Sequence, residues 1–104
     1  MLLNAADIDL DSGDANRAAS ALAESRQLLE SALPQDKNPS EAWRYAIWDS
    51  VHSKLLAERG DREVARRIGI AAVPIIEKRW GPNGFHTLLA RRRAHVVEQH
   101  AAGH

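Results

Sequence analysis

Two stretches of this sequence resemble each other at a distance of 47 residues, and this repeat constrains the fold more than any other feature. The segments Gly13–Ala18 and Gly60–Ala65 both begin with glycine and aspartate and both end in alanine. Downstream, the apolar pair Leu28-Leu29 corresponds to Ile75-Ile76 at the same offset. A glycine-aspartate turn that opens an apolar helix twice is typical of stacked helical hairpins. The sequence therefore predicts an all-α fold of stacked antiparallel hairpins.

Helical periodicity and capping residues divide the chain into about five helices, and strand patterns are almost absent. Asp14, Asn38 and Asp61 are expected to cap the second, third and fourth helices. We expect one domain of 104 residues, made of a partial hairpin (1–34), a hairpin (39–81) and a last helix (84–100). The first helix, about Leu2 to Leu10, is short, and the third should begin at Pro39.

The apolar residues of the fourth helix are expected to point inward. They are Val64, Ala65, Ile68, Ala71, Ala72, Ile75 and Ile76. The pairs Leu28-Leu29 and Ile75-Ile76 should fill the layer between hairpins, while Ala18 and Ala65 should let paired helices approach closely. Pro74 is expected to kink or break its helix, because it removes a backbone donor.

The last helix is expected to leave apolar side chains partly exposed, since no further hairpin follows it in this sequence. These side chains are Leu88, Leu89, Val96 and Val97. Exposed terminal faces favour a homodimer in which two copies pair across a two-fold axis. The four residues 101–104 should fray.

Composition places the chain among ordinary globular proteins and excludes thiol chemistry. It has no cysteine, so disulfides, thiolate nucleophiles and cysteine zinc sites are absent. No apolar run approaches the roughly 18 residues of a membrane span, and the first residues do not resemble a signal peptide. The expected location is the cytoplasm, without membrane association.

The charges are separated along the sequence although the net charge is zero. Residues 1–51 carry a balance of −5, and residues 52–104 carry +5. Such asymmetry can favour head-to-tail contacts or an anionic partner at the second half, but it also fits a plain solvated surface.

The segment from Gly60-Asp61 through Ala65 and Ile75-Ile76 to Glu77–Thr87 resembles a tetratricopeptide repeat. Repeats of this kind occur in kinesin light chains and bacterial regulators, where a charged stretch and a Gly-Pro turn close each hairpin. The small residue that the first helix of such a repeat carries corresponds to Ser53. The resemblance covers about residues 13–100 and implies a scaffold for protein interaction.

No catalytic or metal-binding motif is present in the sequence. His100 and His104 have the spacing of a helical metal site, but they supply only two ligands. The chain lacks His-Glu-x-x-His, a phosphate-binding glycine loop and Gly-x-Ser-x-Gly. The arginines Arg91–Arg93 fan out around a helix without interleaved aromatics, which argues against nucleic-acid binding. We therefore expect neither an enzyme nor a cofactor or metal site.

The most plausible function is protein interaction, as an adaptor or as the sensor or oligomerisation part of a larger regulator. A concave groove between the first helices of the hairpins would accept a peptide or a helix. The residues predicted to line it are Tyr45, Trp48, His52, Arg91 and Arg92. The alternative is a helical bundle that binds a small molecule or catalyses a reaction near His52 and Trp48, where a break at Pro74 would open a pocket.

Overall fold

The computed structural model describes residues 2–102, with the side chains of residue 3 and of residues 5–99, and the described chain consists of helices joined by short turns and loops. Its elements are α1 (Leu2–Asp11), α2 (Ala15–Ala32), the short 3-10 helix η1 (Pro39–Glu41), α3 (Ala42–Glu58), α4 (Arg62–Trp80) and α5 (Phe85–Ala102). Residues 2–102 contain no strand. The predicted all-α class is therefore confirmed.

The helices stack as two antiparallel hairpins followed by a single helix. α1 packs on α2, and α3 packs on α4, while α5 covers both α3 and α4. α3 lies at the centre, because it contacts each of the other four α-helices. No Cα atom of α2 comes within 8 Å of one in α4. The stacked hairpins expected from the repeat are present, and each second helix leaves one flank without a neighbour.

Glycine turns end the first helix of each hairpin, as the repeat predicted. Gly13 and Gly60 have φ angles of 84° and 91°, and Gly81 closes the second hairpin with 84°. Such positive φ angles favour glycine, because the Cβ atom of any other residue would clash with the backbone in this left-handed conformation.

Only one of the three predicted side-chain caps is found. Asp14 accepts a hydrogen bond from the backbone N–H of Arg17 at 3.1 Å, so this prediction is confirmed. The prediction for Asp61 is wrong, since its side chain makes no capping hydrogen bond. Asn38 donates instead to the carbonyl oxygen of Pro34 at 2.9 Å. The three residues after it form η1, so α3 begins at Ala42 rather than at Pro39.

Small residues lie where the paired helices meet. Ala18 and Ala65, which the repeat makes equivalent, are both completely buried. Ala18 belongs to the cluster between the first hairpin and α3, and Ala65 packs with Ala57 and Val97. A third cluster joins α3, α4 and α5 through Ala46, Ala72, Ile76 and Ala90. The expectation that alanine allows close approach is confirmed.

The inward-facing surface of α4 is narrower than predicted. Ala65, Gly69, Ala72 and Ile76 form its buried stripe. Ala71 and Val64 are exposed, and so is Ile75, with 44% of its surface accessible. The same holds for Leu28 at the equivalent position of α2, which is 58% exposed. The prediction that Leu28 and Ile75 fill a layer between hairpins is wrong, because α2 and α4 do not pack on each other.

α4 also continues through Pro74, so of the predicted kink or break the break is wrong, and the kink stays a prediction. Pro74 and Ile70 both lie on the exposed side of α4. The Ile70 carbonyl that loses its helical partner can therefore bond to water instead of being left unsatisfied in the core.

α5 leaves part of its apolar surface uncovered, as expected. Leu88 and Val96 are exposed, and Phe85 is 71% exposed, whereas Val97 is buried, contrary to the prediction. Residues 101 and 102 belong to α5, while Gly103 and His104 lie outside the described residues. None of the helices within residues 2–102 combines the length and the apolar character that crossing a membrane requires.

Candidate interaction surface

Trp43 lies in the first turn of α3 and lines two separate grooves. One groove lies between the start of α3 and the second half of α4. The other lies between α2 and α3, beside the start of α1. We call them the α4 groove and the α2 groove. A half-buried tryptophan between two open apolar grooves is a typical anchor of a protein interface.

The α4 groove has a volume of about 520 Å³. It is lined by Pro39, Ser40, Ala42, Trp43, Pro74, Ile75, Lys78 and Arg79. Every ionisable residue of this lining is basic, and the remainder is mostly apolar. The groove therefore suits an apolar side chain accompanied by negative charge.

Two tryptophan rings hold Arg79 in place at this groove. Its guanidinium lies 4.6 Å from the ring centre of Trp80 and 5.4 Å from that of Trp43. The two rings meet edge to face, with centroids 5.4 Å apart. In the described part of the chain, neither Arg79 nor Lys78 forms an ion pair. A stacked guanidinium keeps its in-plane N–H groups available, which is the geometry that binds a carboxylate.

The α2 groove lies where, within the described residues, α2 extends beyond α1. α1 has 10 residues and α2 has 18, so the second half of α2 extends beyond the start of α1. In the second hairpin, α3 has 17 residues and covers α4 much further along. Leu29 is consequently only half-buried, whereas its equivalent Ile76 is fully buried. The groove of about 370 Å³ is lined by Leu3, Ser25, Leu28, Leu29, Ala32, Leu33, Trp43, Arg44, Ile47 and Trp48.

Three of the predicted partner-binding residues lie together on α3, on the side that faces α2. Tyr45 is buried, and its hydroxyl donates to the carbonyl oxygen of Leu33 at 2.7 Å. Trp48 donates from Nε1 to the carbonyl oxygen of Leu22 at 2.9 Å. His52 stacks on Trp48, with ring centres 4.6 Å apart. Tyr45 and Trp48 therefore fasten α2 to α3, and only part of Trp48 reaches the α2 groove.

Burial lowers the pKa of the His52 imidazole, and the positive charges of Arg26 and Arg59 lower it further. The ring is consequently held in its neutral form over a wider pH range than a free histidine. His86, beside Trp80 at 4.9 Å, has its pKa lowered by burial and by Arg93.

The other two predicted residues lie elsewhere, on α5. Arg91 donates to the carbonyl oxygen of Pro82 at 3.1 Å and pairs with Glu77 at 3.0 Å. Arg92 is exposed. Neither arginine lines a groove that Trp43 lines, so the structure does not bring the five residues together. Their role in partner binding stays a prediction.

The groove that Pro74 lines is not the small-molecule pocket that the sequence predicted near His52 and Trp48. Pro74 lines a groove together with Trp43, although its helix is not broken. Trp48 lines the α2 groove, but His52 is absent from the linings of both grooves. Neither groove is lined by Pro74, Trp48 and His52 together.

The first helices of the hairpins form a third groove, which is small. Its volume is about 220 Å³, and α1, α3 and α5 supply its lining of Leu10, Asp11, Lys54, Ala57, Glu58, Val96 and Val97. None of the five predicted residues lines this groove. Its position is the one in which the sequence predicted a peptide to bind.

An ion network joins the three helices around this third groove. The Lys54 ammonium donates to Asp7 and, at 2.6 Å, to Asp11. Arg93 Nε donates to the other oxygen of Asp7 at 3.1 Å. Lys54 and Arg93 are nearly buried, so the basic groups are satisfied by acids of the same chain. A partner would have to displace this network to enter the groove deeply.

The network keeps Asp7 ionised. Burial alone would raise the pKa of its carboxyl group, but the hydrogen bond from Lys54 and the charge of Arg93 outweigh burial. The pKa therefore lies below the ordinary value.

Sequence reasoning missed this network, although two patterns indicate it. Asp7 and Lys54 are 47 residues apart, so they are equivalent positions of the repeat with opposite charges. The acidic first half and the basic second half of the sequence also meet here. Equivalent positions on adjacent first helices lie side by side on one face of a stack, so residues of opposite charge at such positions are candidates for a contact.

Comparison with protein-family models, with curated proteins and with solved structures finds no match to this chain. Among the described side chains, no three histidine, aspartate or glutamate groups are arranged to hold a metal ion. The side chains of His100 and His104, which have metal-site spacing but were not expected to bind a metal, lie outside the described side chains.

Proposed function

We propose that this protein is a protein-interaction module that holds a partner in the grooves beside Trp43. It would act as an adaptor or as the sensor or oligomerisation part of a larger regulator. One observation carries the proposal: Trp43 lies between two grooves whose walls expose the equivalent residues Leu28 and Ile75. Exposed large apolar residues beside a partly buried tryptophan and a stacked arginine match the composition of interface hot spots.

The tetratricopeptide-like relationship is part of the same proposal. Its support is the order of contacts, in which each helix pair packs through small residues and the central α3 contacts the helices on both sides. The partner surface differs from the one that the resemblance implied, because the groove between first helices is narrow and crossed by ion pairs.

Site-specific photo-crosslinking in the cell that makes the protein would test the proposal. A photoreactive benzoylphenylalanine replaces Ile75 or Leu28 in the full chain, and a control carries it at Ala23, which is exposed on the side of α2 opposite to the groove. We expect discrete adducts from the two groove positions and none from position 23. Equal labelling from all three positions, or no adducts at all, would contradict an interaction site at these grooves.

The two-fold homodimer stays a prediction, and the uncovered stripe of α5 is the surface that would form it. The uncovered stripe of α5 consists of Phe85, Leu88 and Val96, and it includes the exposed Arg92. An antiparallel pairing of two such stripes would bring Arg92 close to the same basic region of the second copy, which is unfavourable. Nucleic-acid binding, catalysis and a membrane role form no part of the proposal, and the cytoplasmic location remains a prediction from the sequence.

A further inference from the structure

We propose that the α4 groove binds the outer face of α1 from a second copy of this chain. Ile8 would be the apolar anchor in the groove, and the carboxylate of Asp9 would pair with Arg79. This contact joins unlike surfaces of two copies, so it differs from the two-fold pairing of last helices. It rests on the proposed function, because it names the occupant of one of the two grooves beside Trp43.

The outer face of α1 has the required chemistry. Ile8 is 63% exposed, although it lies in the middle of a helix. Ala5, which lies on the same side of α1 as Ile8, is also exposed, and so is Ser12 in the turn that follows the helix. α1 contains three aspartates and no basic residue. Two of them pair with Lys54, whereas Asp9 forms no ion pair among the described residues.

The α4 groove offers the matching surface. Trp43, Pro74 and Ile75 supply apolar lining, and Ile75 is already partly exposed to water. Arg79 lies over the rings of Trp80 and Trp43 and, within the described part of the chain, has no acidic partner. Lys78 adds a second positive charge on the same side. Ile8 therefore matches the apolar lining of the α4 groove, and Asp9 matches the positive charge of Arg79.

The charge distribution of the whole chain supports the same orientation. Residues 1–51 carry a balance of −5 and residues 52–104 carry +5, so the acidic half of one copy is attracted to the basic half of another. Opposite potentials increase the rate of encounter and disfavour pairing of like halves. The rotation between copies decides whether the contact occurs twice in a closed pair or once per copy in a growing chain.

Sedimentation velocity of the full chain would test the contact. Because the α1 face is small, we expect weak association, visible between about 10 µM and about 500 µM at low salt and reduced at high salt. Asp9→Arg and Arg79→Glu should each weaken association by about tenfold or more. Combining the two substitutions exchanges the charges and should restore most of the association.

Matched controls separate this contact from general electrostatic attraction. Arg67→Glu changes an exposed arginine on the same helix, and Asp36→Arg changes an exposed acid in the loop before η1. Both should leave the association nearly unchanged. Ile8→Ser should weaken it without altering the charge. If Arg79→Glu perturbs its tryptophan stack and lowers the helical circular dichroism, Lys78→Glu replaces it.

The sedimentation results either overturn or support the proposed contact between α1 and the α4 groove. A chain that remains monomeric over the whole concentration range overturns it. Association that the controls weaken as much as Asp9→Arg and Arg79→Glu do, or that the exchanged pair does not restore, also overturns it. Association lost at Arg79 and at Asp9, and recovered in the double variant, supports it.

Discussion

Individual charged residues contribute to the fold because the stack buries them in pairs. Asp7 receives hydrogen bonds from both Lys54 and Arg93, which come from the third and fifth α-helices. Arg93 also lies 3.4 Å from the hydroxyl of Ser50. A buried charge that loses its partner is strongly destabilising, since water cannot replace the missing interaction. One aspartate therefore holds three helices in register.

Replacing Asp7 with alanine should destabilise the protein by about 3 kcal/mol, because the nearly buried Arg93 would lose its acidic partner and Lys54 would keep only Asp11. The control Glu30→Ala removes an exposed partner of Arg26 and should cost less than about 1 kcal/mol. Urea unfolding followed by circular dichroism measures both changes. Equal effects of the two substitutions would show that the network is not a specific contact.

His52 should make the protein less stable in mild acid. Its pKa in the folded state is lower than in the unfolded state, so the unfolded chain binds more protons as the pH falls. This contribution to stability is complete above the unfolded pKa and decreases as the pH drops through about 6.5.

The substitution His52→Gln should therefore reduce the loss of unfolding free energy between about pH 7.5 and about pH 5.5. Part of the loss will remain, because the pKa of His86 is also lowered. Urea titrations at the two pH values measure the difference. An unchanged pH dependence in the variant would contradict the argument.

At the scale of helices, length and packing decide which surfaces stay open. Within residues 2–102, α1 leaves the second half of α2 uncovered, and no helix packs on α4 at Ile75. Both grooves beside Trp43 follow from these two facts. Pro74 contributes to one groove while remaining inside a continuous helix, at the expense of one backbone hydrogen bond.

Pro74→Ala should stabilise the protein by about 1 to 2 kcal/mol, because the restored N–H can bond to the carbonyl oxygen of Ile70. The gain is smaller than the full cost of a helical proline, since alanine leaves the unfolded chain more flexible. Pro39→Ala is the control, because a proline in the first turn needs no helical donor and its replacement should give no gain. A urea midpoint that does not rise for Pro74→Ala would be the contrary result.

At the scale of the whole molecule, the centre of the stack couples its two ends. α3 contacts the other four α-helices, and the ion pair of Asp7 with Arg93 connects the first helix to the last. The two ends of a longer repeat array interact only through their neighbours. Here the small number of helices and the long-range ion pair should make unfolding cooperative.

The full chain should therefore unfold in one transition, with coincident curves from circular dichroism and tryptophan fluorescence. A chain that ends at Gly81 should lose this cooperativity, because removing α5 uncovers Ala72 and Ile76 and leaves Asp7 without Arg93. The same two probes in urea test both statements. A sharp, native-like transition in the shortened chain would show that α5 is dispensable.

Much of the local structure could be predicted from the sequence, because it depends on nearby residues. The glycine turns at Gly13 and Gly60 and the cap at Asp14 were predicted from local chemistry, and the structure has them. The cap at Asp61 and the helix start at Pro39 were wrong, since several local hydrogen-bond arrangements compete at a helix end. The candidate surface was predicted only in part, through Trp48.

The sequence by itself determined the helical class, the duplicated hairpins and the small residues at their contacts, because periodicity and capping act over a few residues. Only the tertiary structure decided that Leu28 and Ile75 face solvent, that Trp43 lines two grooves and that Asp7 meets Arg93. An apolar pattern states that a face can be buried, but the lengths and positions of the neighbouring helices determine whether anything covers it.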